Sequence, residues 1–226
     1  MWETIALLAN FFLKDKVFSI YLSILTRLKS SDKLNLDIPL MQTRLATKQD
    51  VDILAALERQ HLNDELMSNG VNLEGQAFNR NELTLLIDKH WIVVAEINGR
   101  IIGYVIAGRW SFFETWPIYR NLLKRLNRIN GDGPQLTVQN SCQYGPIWVD
   151  KAYRGQGVFE ALVTRIYREV APSFTYLVTF IADENERSLA AHTRKAKMQV
   201  ADFFTFSDRD YYIMSVDIRS YALAHR

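Results

Sequence analysis

Arg154-Gly155-Gln156-Gly157 is the stretch of this chain whose residue types and spacing can do chemistry. It joins an apolar, strand-like run, Ile147-Trp148-Val149-Asp150, to an amphipathic run that begins at Val158. Two glycines let the backbone come close to a ligand, and the first N–H groups of a helix have no partner inside it. The helix dipole and the Arg154 guanidinium add positive potential, so such a turn is an anion site, and the ligand expected there is a diphosphate. The plainer reading gives Gly155 and Gly157 to the turn alone. Rival phosphate loops fit worse: no Gly-x-x-x-x-Gly-Lys-Ser/Thr occurs, and no Gly-x-Gly-x-x-Gly follows a strand.

The elements around the turn must position it. Phe159, Leu162, Val163, Ile166 and Val170 recur at helical spacing after it. Before it, Cys142 to Asp150 reads as a strand, and after its helix Tyr176 to Ala182 reads as another buried strand. Upstream, Gln42 to Ala46 can be a first strand, with Thr47 capping a helix through Arg59 and Asp50 in its first turn. Residues 61–81 are polar and glycine-containing, which predicts irregular or partly helical chain. Trp91 to Ile97 and Ile101 to Ala107 are apolar runs joined through Asn98-Gly99, a strong hairpin signal. An aromatic and then basic segment runs from Arg109 to Ser141, with a turn at Gly131-Asp132-Gly133-Pro134. Asn185 to Lys197 is helical in pattern. Phe203 to Phe206 and Tyr211 to Val216 form a closing hairpin around residues 207–210.

Composition sets the outer bounds. The 226 residues are 48% hydrophobic and 23% charged, enough for one sizeable core, and the formal net charge is only +2. A dedicated nucleic-acid binder would be far more basic, so no nucleic-acid partner is expected. A single cysteine, Cys142, excludes an internal disulfide and a cysteine-based zinc site, and no metal is expected. The apolar runs Thr4 to Leu13 and Val17 to Thr26 are split by Lys14-Asp15-Lys16, so a membrane span is not expected, since one needs about 20 consecutive apolar residues. No positive segment precedes these runs and no small-residue cleavage site follows, which predicts a cytoplasmic protein. Residues 1–38 read as an N-terminal helical extension and linker. Apolar side chains lie on too many faces of residues 1–28 for a simple surface helix. Its own domain, a second subunit in a homodimer, or a membrane surface could cover it. Residues 39–226 form the main domain.

Arg154-Gly155-Gln156-Gly157 resembles the Arg/Gln-x-x-Gly-x-Gly/Ala signature of the GNAT acyltransferases. Its first four positions fit, whereas Phe159 stands where that family has Gly or Ala. The order strand, helix, hairpin, strand, helix, strand, helix, two strands also resembles that family, over about Met41 to Ile218. Gly145-Pro146-Ile147-Trp148-Val149 sits where the family's fourth strand splays from the fifth. Asn185-x-x-Ser188-x-x-x-His192 resembles the pattern opening the helix after strand five, and Lys197-Met198 takes the place of a closing Gly-Phe. The aromatic insertion with Trp116-Pro117 resembles a subset of unassigned substrate. The resemblance implies an α/β (α+β) fold with a mixed, mostly antiparallel sheet flanked by helices.

It further implies a co-substrate, acetyl-CoA or another acyl-CoA, and transfer of an acetyl group to a primary amine on a small molecule or peptide. On that resemblance the backbone of Trp148 and Val149 pairs with the pantetheine arm as an added strand would. The N–H groups of Arg154, Gly155, Gln156, Gly157, Val158 and Phe159 hold the diphosphate. Asn185 bonds the pantetheine or caps its helix. Ser188 and His192 share a helix face, and His192 stands where a tyrosine often protonates the departing thiolate, so it supplies a proton or only lines the groove. Gln143 and Tyr144 stand where a glutamate often serves as base. The remaining base candidates are Glu58, His61, Asp64, Glu65 and Glu114, or Tyr144 through water. Cys142 reads as a core residue, with no paired base to make it a nucleophile. Trp110, Phe112, Phe113, Trp116 and Tyr119 either pack the insertion onto the sheet or wall an apolar acceptor site. Two other classes stay open: an acyl-CoA-binding sensor without turnover, and an N-terminal arm that binds a membrane or partner.

Overall fold

The computed structural model describes residues 40–69, 77–129 and 135–224, with side chains at 40–60, 77–129 and 135–221. The extension at 1–38 and the turn at Gly131 to Pro134 lie outside the described residues. Chain contacts divide the molecule into Met1–Leu40 and Met41–Arg226. Among the described residues the second unit holds seven strands: β1 (Gln42–Leu45), β2 (Trp91–Ile97), β3 (Arg100–Gly108), β4 (Ser141–Val149), β5 (Tyr176–Ala182), β6 (Gln199–Phe206) and β7 (Arg209–Asp217). Its helices are α1 (Val51–Asn69), α2 (Arg80–Lys89), α3 (Trp110–Phe113), α4 (Pro117–Leu126), α5 (Val158–Val170), α6 (Glu186–Arg194) and α7 (Ile218–Ala224).

The strands form one sheet in the order β1-β2-β3-β4-β5-β7-β6. Only β4 and β5 pair parallel, because α5 crosses between them. Both tight turns are two residues long with positive φ throughout: Asn98 and Gly99 (50° and 76°), then Ser207 and Asp208 (48° and 59°). Such turns match the right-handed twist of the strands they join. The second is shorter than the four-residue turn expected at 207–210, since Arg209 and Asp210 already pair with Phe206 and Thr205.

Helix α5 lays Leu162, Val163, Ile166 and Val170, all at most 1% exposed, against Val93, Val105 and Cys142 on one sheet face. Each such side chain contributes about 1.5–3 kcal/mol by leaving water. The opposite face carries α1, α2 and α3 over Val94, Tyr104 and Trp148, and α4 over Val178, Phe204 and Ile213. Three helical boundaries depart from expectation. The first helix opens with a 3-10 turn, Lys48–Asp50, where Thr47 N–H and Oγ1 both donate to Asp50 Oδ2 (2.7 and 3.0 Å), and it continues past Arg59 to Asn69. No Gly or Pro interrupts it before Gly70. Helix α2 was not expected at all, yet it opens with a capping box: Asn79 Oδ1 accepts from the N–H of Asn81 and of Glu82, and Glu82 accepts from Asn79 N–H. Helix α6 ends at Arg194 rather than Lys197.

Candidate functional site

The turn after β4 leads through two glycines into α5. Asp150 Oδ1 caps the short Lys151–Tyr153 turn through Ala152 N–H (3.0 Å), while its other oxygen pairs with Arg100 (2.8 Å). The chain then enters α5 through Gly155 and Gly157, with φ of 78° and 82°, a region that favours glycine. A Cβ at either glycine would meet nothing within 4 Å. The glycines therefore serve the backbone path and leave open space above it. Ala161 N–H is the first of α5 to find a carbonyl, Gly157 O at 3.0 Å. The N–H groups of Gly155, Gln156, Gly157, Val158 and Phe159 have no acceptor among the described residues. Arg154 is anchored by its Nε to Val149 O (3.0 Å) and has no carboxylate partner among them. Gln156 points its amide at Ala152 O (2.9 Å), which steadies the turn.

Beside the turn the sheet parts. Pairing of β4 with β5 covers only Ser141–Tyr176, Cys142–Leu177 and Gln143–Val178. Past Gln143, β4 carries an extra residue against β3, at Gly145 (φ 106°) and Pro146, where Val105 pairs with Ile147 but Ala107 pairs with Tyr144. The register corrects one expectation. Asp150 N–H donates to Ile102 O (2.9 Å), so by antiparallel alternation Trp148, two residues earlier, also turns its backbone groups toward β3. Ile147 and Val149 face the parting instead. Trp148 is thus spent within the sheet, and Ile147 joins Val149 as a residue whose backbone faces the parting. Local spacing carries no signal for it, because β-ladder register decides which edge a residue presents.

On the α5 face, His192 is 4% exposed and sits between two aromatic rings, Tyr144 at 5.6 Å and Phe159 at 5.3 Å, both edge-on. Phe159, which replaces a small residue of the signature, therefore covers the histidine. His192 Nδ1 lies 2.8 Å from Ser188 O; a carbonyl only accepts, so Nδ1 carries the proton and Nε2 is bare. Burial also holds its pKa below the ordinary value. A proton donated from Nε2 would need the cationic form that burial disfavours. Tyr144 is fully buried, and its hydroxyl has no hydrogen-bond partner among the described residues. Burial pushes its pKa well above the usual phenol value, so it keeps its proton and can donate rather than act as a base through water. Asn185 caps α6 by accepting from Ser188 N–H (3.1 Å). Lys197 takes a left-handed φ of 58°, the conformation of the glycine it replaces, and Met198 fills the core beside it at 2% exposure.

The opposite face holds a second polar group among aromatic rings. Glu58 is 5% exposed, with Oε1 accepting from Tyr104 OH (2.5 Å) and Oε2 from Phe78 N–H (3.3 Å). The remaining base candidates separate. Glu114 is exposed at the end of α3, and the side chains of His61, Asp64 and Glu65 lie outside the described residues. Cys142 is fully buried with its thiol pKa pushed up by burial, in keeping with a core role. Trp110, Phe112 and Phe113 are core residues, Trp110 donating to Ser141 Oγ (3.1 Å), whereas Trp116 and Tyr119 are partly exposed. Among the described residues no cluster of His, Cys, Asp or Glu could hold a metal, and no helix is long and apolar enough to cross a membrane.

Two histidines couple this architecture to pH. Burial, aided by the Arg109 charge, lowers His90 from 6.5 to about 4, and Arg109 N–H donates to its Nδ1 (3.2 Å). Both His90 and His192 accept protons more readily in the unfolded chain, so stability falls as pH drops below about 6.5. The slope reaches at most about 1.4 kcal/mol per pH unit for each histidine. His90→Asn should flatten urea-midpoint titrations between about pH 7 and about pH 5. An unaltered slope would show that folding does not shift the His90 pKa.

The sequence model of the acetyltransferase (GNAT) family matches residues 60–196. None of the curated proteins matches the sequence. Among solved structures, YncA from Salmonella typhimurium, determined with its cofactor acetyl-CoA, superposes with a TM-score of 0.54 at 17% identity, over 79% of this chain and 94% of that one. An N-acetyltransferase from Staphylococcus aureus Mu50 gives 0.52 at 22% identity, over 79% and 99%. Ard1 from Thermoplasma volcanium gives 0.54 at 11% identity, over 78% and 97%. At these identities the likeness speaks for the fold.

Proposed function

The chain belongs to the acetyltransferase (GNAT) family, and from that premise we propose that it transfers an acetyl group from acetyl-CoA to a primary amine by direct attack. The observation that carries this reading is the parting of β4 from β5 directly beside an open, glycine-lined helix start. The free amides of Gly155 to Phe159 and the Arg154 guanidinium would hold the diphosphate of CoA. Val149 and Ile147 offer backbone groups to the pantetheine, as a strand edge offers them to an added strand. The thioester then lies near Tyr144, whose partnerless hydroxyl donates to the sulfur as the C–S bond breaks. His192 acts as a positioning residue, filling the space between Tyr144 and Phe159.

Gln143 in place of a strand-four carboxylate keeps a second reading alive, a domain that binds acyl-CoA without turning it over. Calorimetry with CoA, run beside a thiol-release assay on acetyl-CoA and a panel of primary amines, separates the two. The expected result is saturable CoA binding together with amine-dependent thiol release. CoA binding with no release across the panel would replace transfer by sensing. Absence of CoA binding would overturn both.

A further inference from the structure

We infer that the acceptor is a singly charged primary amine on a flat apolar body, an arylalkylamine, seated on the α1 face of the parting. This rests on the acyl-transfer reading for its chemistry but not for its binding site. Aromatic rings line both banks of the parting on that face. On one bank Trp148 stacks on Tyr104 (5.9 Å, 24°), and on the other Tyr119 meets Phe180 of β5 (5.3 Å). Trp116 closes the set, 6.2 Å from Tyr119, and is partly exposed.

Two buried polar atoms on this face have no partner among the described residues. Gln143 Oε1 is an acceptor at the last paired position of β4, in a side chain 2% exposed. Trp148 Nε1 is a donor, in a side chain 5% exposed. Native proteins rarely leave such atoms unmatched, and here Gln143 Oε1 could accept from the ammonium of the ligand. Glu58 supplies the charge. Its oxygens accept from Tyr104 OH and Phe78 N–H, and it lies one ring away from Trp148 through Tyr104. Ring faces and a carboxylate together favour a cation with an apolar body. A second cationic centre would be stripped of water among phenylalanine rings, and an anion would meet the Glu58 charge.

In the transfer itself Glu58 takes one proton from the ammonium, through the Tyr104 hydroxyl, and later releases it to solvent. The neutral nitrogen forms the N–C bond as the C–S bond breaks, and the electron pair goes to sulfur. Sulfur is protonated by Tyr144, and the nitrogen's second surplus proton returns through solvent to the Tyr144 oxygen. The net change is ammonium plus thioester to amide plus thiol plus one proton.

Binding to the CoA-loaded protein tests the site without relying on turnover. Calorimetry should show 2-phenylethylamine binding at least about 10-fold tighter than spermidine or kanamycin. Trp116→Ala, at a partly exposed position, should weaken 2-phenylethylamine about 10-fold with CoA affinity unchanged, and Glu58→Gln should do the same if it folds. Tighter binding of spermidine or kanamycin, no binding of 2-phenylethylamine, or indifference to Trp116→Ala would overturn the inference. Binding of 2-phenylethylamine with no acetylation of any amine in the panel would sink the transfer reading and leave only the binding site standing. Acetylation of spermidine alone would do the reverse.

Discussion

Tyr144→Phe is expected to slow turnover by about 100-fold while leaving the protein slightly more stable. A positioned general acid contributes about 10²–10⁴ in rate, and removing the hydroxyl leaves the departing thiolate without its donor. The stability effect runs the other way for a physical reason. The Tyr144 oxygen is fully buried with no hydrogen-bond partner among the described residues, so folding strips it of water and returns nothing. Such a group costs about 1–3 kcal/mol, and phenylalanine keeps the ring contacts with Tyr167 (6.4 Å) and His192 (5.6 Å). Urea unfolding should therefore show a gain of about 1 kcal/mol, with KM for acetyl-CoA little changed. Unchanged kcat would remove Tyr144 from the chemistry. A loss of stability would mean that the hydroxyl has a structural partner.

Gly157→Val is expected to weaken CoA binding at least 100-fold, which is about 2.7 kcal/mol, while the fold survives. At φ 82° a β-branched residue is strained, by about 1–3 kcal/mol. Yet nothing lies within 4 Å of a Cβ built there, so the side chain starts in open space above the free amides. Strain falls on the turn and obstruction falls on the ligand. Calorimetry with CoA and thermal unfolding read the two effects separately. Affinity equal to that of the unmodified protein would refute the diphosphate site.

What could be read from the sequence were arrangements whose causes lie within a few residues of one another. Arg154-Gly155-Gln156-Gly157 declared a turn, a helix start and a positive charge together, and Asn98-Gly99 declared a hairpin. Helix α5 announced its buried face through the spacing of its apolar residues. Even where an element was missed, as with α2, its signal was local: Asn79-x-x-Glu82 is a capping box. Tertiary structure decided what depends on register and on partners far along the chain. Whether Trp148 or Ile147 presents its backbone to the parting follows from the β3–β4 ladder, where a shift of one residue exchanges the two edges. Glu58 meets Tyr104 across 46 residues, and the loneliness of the Tyr144 hydroxyl is visible only once its surroundings are packed. The glycine turn and the open helix start after it are properties of chain-local geometry and so are written in the sequence. The groups that would meet the thiolate and the amine arrive from separate strands and helices, and only folding brings them to the same opening.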